Sequence, residues 1–69
     1  MIGKRIYLRR IELQLTLNQL ADKTGLDQGY LSRVENEVIK KCNVKTVAKI
    51  SRALEVSPAW LIGLSDRKK

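Results

Sequence analysis

Gly25 sits at the centre of the stretch that most constrains this chain, TLNQLADKTGLDQGYLSRVENE from Thr16 to Glu37. Thr16 is a good N-cap, Leu20 and Ala21 face inward at helical spacing, and a helix from Leu17 to about Thr24 stops at the glycine. Gly25 can take the positive φ that carries the chain out of one helix and into the next within about three or four residues. Leu26 then plugs the corner. Asp27 caps the following helix, Gln28 to about Asn36, with Leu31 and Val34 on one face and Gln28, Gly29, Ser32 and Arg33 on the opposite, outward side. Two short helices at a tight turn leave few architectures open, and the polar outer edge of the second suits a nucleic-acid groove.

The flanks supply the rest of a small core. Ile2, Ile6 and Leu13 form a helical stripe along residues 2–13, with Arg5, Arg9 and Arg10 nearby, a basic amphipathic helix. EVIKKCN, residues 37–43, has weak periodicity and reads as a loop. Asn43 caps a fourth helix from Val44 to Leu54, where Val47, Ile50 and Leu54 share a face and Lys45, Lys49 and Arg52 lie away from it. Ser57 and Pro58 are a strong start signal for a last short helix, given apolar mass by Trp60 and Leu61 and stopped by Gly63. Alternating segments and hairpin turn pairs are missing, so the expectation is all-α: a compact five-helix bundle over residues 2–63 and a frayed, polar basic tail over 64–69.

Composition narrows the function. A chain of 69 residues holds one small domain with a thin core. Fourteen Lys and Arg against 7 Asp and Glu give +7, which makes a polyanion the natural partner, although a merely soluble basic protein has the same balance. Cys42 is the only cysteine and His is absent, which excludes an internal disulfide, leaves zinc too few ligands and fits a reducing compartment. No apolar run approaches the roughly 18 residues of a membrane span, and no signal-peptide segment opens the chain, so a cytoplasmic protein is expected. Without His, a phosphate loop or paired carboxylates, neither an enzyme nor a cofactor is expected, and no small-molecule ligand is called for.

The pattern T-x3-L-A-x3-G-L-x4-L-S-x2-E-N, Thr16 to Asn36, resembles the helix-turn-helix of the Cro/C1 repressor family, the lambdoid-phage or XRE type. Ile2-Gly3, Arg10 and the closing A-L-x-V-S-x-x-W-L from Ala53 to Leu61 agree with it, so the likeness covers residues 2–63, with the helix-turn-helix at about 17–36. The resemblance implies that the helix from Gln28 lies in the major groove of double-stranded DNA while the helix from Leu17 crosses the backbone. At the family's groove-facing positions stand Gln28, able to pair with N6 and N7 of adenine, then Gly29, which offers only backbone, Ser32 and Arg33. Arg33 is either a reader of guanine or a phosphate clamp or solvated charge; Ser32 either touches the DNA or is a satisfied helix-surface hydroxyl.

The same resemblance implies a partly buried ion pair between Arg10 and Glu35 that orients the recognition helix. It implies phosphate contacts from Asn36 and from the helix start at Thr16. Asn18 and the group Lys40, Lys41 and Lys45 are further phosphate candidates, and Tyr30 either bonds a phosphate or packs. Two departures stand out: Leu17 replaces a phosphate-gripping Gln, and Glu37 replaces a usual Gly, so Asn36 or Glu37 must take a left-handed turn. Trp60, Leu61 and Ile62 are a dimer surface or, for Trp60, a core plug. The leading expectation is a sequence-specific transcriptional regulator, a repressor acting as a homodimer on a palindromic operator, nucleoid-associated when bound and open to a regulatory protein partner. The alternative is a protein-binding helical module of the antitoxin or anti-regulator kind.

Overall fold

The computed structural model describes residues 2–68. Its elements are α1 (Ile2–Glu12), α2 (Leu17–Thr24), α3 (Gln28–Glu35), α4 (Val44–Leu54) and α5 (Pro58–Leu61), and no strand occurs among the described residues. The all-α reading holds, helix by helix.

Four helices begin on side-chain caps. Thr16 Oγ1 accepts from the Gln19 amide at 3.0 Å while Gln19 Oε1 accepts from the Thr16 amide at 2.8 Å, a reciprocal capping box at the start of α2. Asp27, Asn43 and Ser57 each accept from the amide three residues on, at 3.0, 2.8 and 3.0 Å. Each cap satisfies a donor that the helix cannot, which is worth about 1 kcal/mol.

The helix ends rest on backbone geometry instead. Gly25, at φ 73°, donates its amide to Ala21 O at 2.8 Å and closes α2. The other four helices are followed by a left-handed residue, and only one of these is glycine: Gln14 at 57°, Glu37 at 64°, Glu55 at 58° and Gly63 at 87°. Behind each, the next amide reaches five residues back: Leu15 to Arg10 O, Val38 to Arg33 O, Val56 to Ser51 O and Leu64 to Ala59 O, at 2.8 to 3.0 Å. These are Schellman closures, with an apolar residue at the outer position every time. Glu37 therefore takes the strained turn and Asn36, at φ −87°, does not.

The core draws on every helix. Ile6, Leu20, Leu31, Val34, Ile50, Leu54 and Leu61 are completely enclosed, and α1 packs across α3, α4 and α5 while α2 packs on α3 and α4. Trp60 is 8% exposed and Leu61 0%, so the expectation of a dimer surface there is corrected: both side chains are core, where a small domain needs its largest apolar groups. Ile62 alone of the three is exposed.

The arginines of α1 also belong to the fold. Arg5 donates to Trp60 O at 2.8 Å and to Ser65 O at 3.1 Å, with its guanidinium 4.9 Å from the Trp60 ring centre. Arg9 donates to Leu54 O at 2.9 Å. Each spends its charge on carbonyls at the end of another helix, where the backbone dipole is negative. Nor do the described residues of the tail fray as expected: the Ser57 amide donates to Lys68 O, and Lys68 Nζ reaches Glu12 at 2.9 Å, while Lys69 lies outside the described residues.

Candidate nucleic-acid interface

α3 is anchored at both ends. At its start the cap Asp27 follows the Gly25 turn, and at its finish Glu35 meets α1. Arg10 Nε and Nη2 donate to the two Glu35 oxygens at 2.7 and 3.2 Å, and Arg10 Nη1 donates to Leu15 O at 2.9 Å. The two side chains are only 12% and 8% exposed. Hydrogen bonding to Glu35, against the cost of burial, pushes the Arg10 pKa above its ordinary value. One bidentate contact thus ties the end of α3 to both α1 and the connection into α2, which fixes the angle at which α3 projects.

The outward edge of α3 then carries Gln28, Gly29 and Arg33, all exposed. Ser32 is half-buried and its hydroxyl lies 3.4 Å from Asn36 Nδ2, which also donates to Ser32 O at 2.9 Å. The Asn36 amide is thereby folded back on its own helix. Thr16 and Asn18 are exposed at the start of α2, and Lys40, Lys41 and Lys45 are exposed on the α3–α4 connection and the first turn of α4. Leu17, in place of the family's polar residue, is half-buried against the core.

Tyr30 departs from the phosphate expectation. It is half-buried, its ring packs against the core, and its hydroxyl points at Cys42 Sγ, 3.5 Å away. The Cys42 contact, followed by burial, holds the Tyr30 pKa above its ordinary value. The packing alternative is the one realised. Sequence reasoning missed a hollow of about 250 Å³ lined by Cys42, Val44, Val47, Ala48, Pro58 and Ile62. Val44 there is 84% exposed and Ile62 45% exposed. The unshielded apolar first residue of α4 was its only signal.

A capped α2, a glycine corner and an α3 braced by a buried ion pair, within a bundle closed by α1, α4 and α5, define a lambda repressor-like helix-turn-helix domain. The family model described as "Helix-turn-helix" matches residues 6–61, and the chain belongs to this family, of the Cro/C1 type. The HTH-type transcriptional regulator SinR of Bacillus licheniformis is 35% identical over 66 residues, 96% of this chain and 60% of that protein. The chain thus spans about 60% of the length of this curated relative. A crystal structure of SinR, described as the master regulator for biofilm formation in complex with DNA, is 35% identical, with a TM-score of 0.87 over 90% of this chain and 98% of that one. The P22 c2 repressor in complex with a synthetic operator is 26% identical, with a TM-score of 0.85 over 94% and 97%. Among the described residues no helix is long and apolar enough to cross a membrane.

Proposed function

We propose that this chain is the DNA-binding domain of a sequence-specific transcriptional regulator, a repressor that lays α3 in the major groove of duplex DNA. The observation that carries the reading is the α3 edge itself: Gln28, Gly29 and Arg33 are exposed along a helix whose far end is pinned by Arg10 and Glu35. Thr16 and Asn18 on one flank and Lys40, Lys41 and Lys45 on the other are the groups for backbone phosphates, joined by Asn36 once its side-chain amide turns away from Ser32. Ser32 has a supporting part, since its hydroxyl already meets Asn36. The complexes of SinR and of P22 c2 with DNA support the same use of this fold. No catalytic step is involved, and the site of action is the chromosome, in the cytoplasm.

One recognition helix reads only a few base pairs, so two copies on a two-fold symmetric operator supply the rest. The exposed apolar hollow around Val44 and Ile62 is the surface we assign to that contact, in place of Trp60 and Leu61. The hollow also suits a second reading, a helical module that binds a regulatory protein.

Selection from a random duplex pool at two salt concentrations tests the proposal. An enriched motif with two-fold symmetry is expected, together with affinity that falls steeply with salt, the slope flattening by about 1 for Lys40→Ala. No motif and no salt slope would overturn it. Ile62→Lys separates the two readings of the hollow: loss of two-site binding with half-site binding intact supports the dimer, and unchanged two-site binding removes it.

A further inference from the structure

Beside the hollow around Val44 and Ile62 lies a second one of about 370 Å³, lined among the described residues by Ile2, Lys40, Lys41, Cys42, Val47 and Ile62. Cys42, Val47 and Ile62 line both hollows, so the two form one groove with a shared wall. Its ends differ. Toward the starts of α4 and α5 the groove is apolar, with Val44, Ala48 and Pro58; toward the α3–α4 connection it carries Lys40 and Lys41. Both lysines are exposed, and among the described residues neither pairs with a carboxylate and no acidic side chain lines either hollow.

An apolar trough with two unpaired cations at one end fits an occupant that has an apolar ridge with carboxylates beside it. In the absence of DNA a second copy of this chain is a poor match, because it brings a net +7 and another pair of the same lysines. The walls are helices and a connection, with no strand edge, so a partner gains no backbone ladder from them and must satisfy its own amides and carbonyls. An amphipathic helix does so. Apolar residues three and four apart would fill the trough, and acidic residues on the flank would lie over Lys40 and Lys41. Those two lysines cannot hold carboxylates and DNA phosphates at once.

Resting on the DNA-binding proposal above, we propose that this groove docks an acidic amphipathic helix of a regulatory protein, and that the helix and operator DNA exclude one another by competing for Lys40 and Lys41. The probes are three fluorescent peptides of about 16 residues, long enough to hold a helix: one with leucines three and four apart flanked by glutamates, one with those glutamates changed to glutamine, and one with the leucines changed to serine. Anisotropy with the whole chain, without DNA, is expected to rank the first tighter than the second by roughly 3- to 30-fold, the worth of two exposed ion pairs, and to show no binding of the third. In Lys40→Gln/Lys41→Gln the first two peptides should bind alike, which separates these lysines from the general charge of the chain. Val44→Lys should weaken the glutamate peptide at least roughly tenfold although it adds a cation, since it fills the apolar end with charge. Both variants change exposed side chains, and thermal unfolding checks that each is folded. A duplex selected from the random pool should displace the peptide, and the peptide should weaken duplex binding by the same factor. A glutamate preference kept by the lysine variant, undiminished binding by Val44→Lys, no binding of any peptide, peptide and duplex bound together, or a chain that sediments as a dimer without DNA would each overturn the inference. Peptide binding as expected with no enriched duplex supports the docking site and fails the DNA-binding proposal instead.

Discussion

Glu35→Ala tests how α3 is held. The wild-type carboxylate accepts two charge-assisted bonds from Arg10, at 2.7 and 3.2 Å, in a pocket where the partners are 8% and 12% exposed. Removing one member of a buried pair strands the other, at a typical cost of about 3–5 kcal/mol. Here Arg10 keeps its bond to Leu15 O and its place 5.4 Å from the Tyr7 ring centre, so part of its hydration is already replaced. We therefore expect a loss of about 2–3 kcal/mol. For a domain this small that is roughly a third of total stability or more, and a drop of about 10–20 °C in melting temperature. The double variant Arg10→Met/Glu35→Leu removes both charges and refills the volume; it should recover to within about 1 kcal/mol of wild type, because the desolvation cost of the pair disappears with it. Urea unfolding followed by helical circular dichroism, on wild type, Arg10→Met, Glu35→Leu and the double variant, measures all four corners of the cycle, with Glu35→Ala alongside. A double variant as unstable as Glu35→Ala would refute the reasoning, for the pair would then be a net source of stability rather than of orientation. The recovered double variant should also bind operator DNA more weakly than wild type, since α3 would have lost its angular restraint.

Other outcomes follow from the same geometry. Gly3→Ala would drive a methyl group into the Val34 carbonyl oxygen and to 2.8 Å from Glu35 O, where α1 crosses the end of α3. Calorimetry should record a loss of about 2–3 kcal/mol despite alanine's better helix propensity. Glu55→Gly, at φ 58°, should stabilise by about 0.5–1 kcal/mol, and a lower denaturation midpoint would show that Glu55 is not strained. The hydrogen bond from Lys68, then that from Arg9, holds the Glu12 carboxyl below its ordinary pKa. A depressed folded-state value means that the clasp's contribution is present above the usual carboxylate range and fades as pH falls through it. In a carboxyl NMR titration Lys68→Ala should move Glu12 upward, and an unmoved value would show that the tail does not close on α1.

Helix starts could be read from the chain and helix ends mostly could not, for a physical reason. A start is satisfied by a side-chain oxygen, and Thr16, Asp27, Asn43 and Ser57 advertise it. An end is satisfied by backbone groups once one residue turns left-handed, and any L-residue can do that at a cost of roughly 1–2 kcal/mol. Gly25 and Gly63 carry the sign, whereas Gln14 and Glu55 carry none of their own. The usable signal lies one residue later, in the apolar Leu15, Val38, Val56 and Leu64 that close each Schellman turn.

The same distinction explains which site assignments moved. Gln28, Gly29 and Arg33 stay on the surface because helical period alone puts them opposite Leu31 and Val34. Tyr30, Trp60 and the α1 arginines are amphipathic: each has an apolar body or stem and a polar tip, so sequence allows surface and interior alike. Their fates depend on partners distant in sequence. Arg5 finds the end of α5, Arg9 the end of α4 and Arg10 the end of α3, so three of the fourteen cations that make the chain basic are committed to carbonyls or to Glu35 within the fold. Net charge thus overstates the cation supply at the α3 edge, and the salt dependence of DNA binding should follow Lys40, Lys41 and Lys45 rather than α1. An Arg9→Gln variant sharpens this: it should lower the unfolding midpoint by removing a bond to Leu54 O while leaving the salt slope of binding unchanged. A flattened slope in a folded Arg9→Gln protein would place α1 against the phosphates after all.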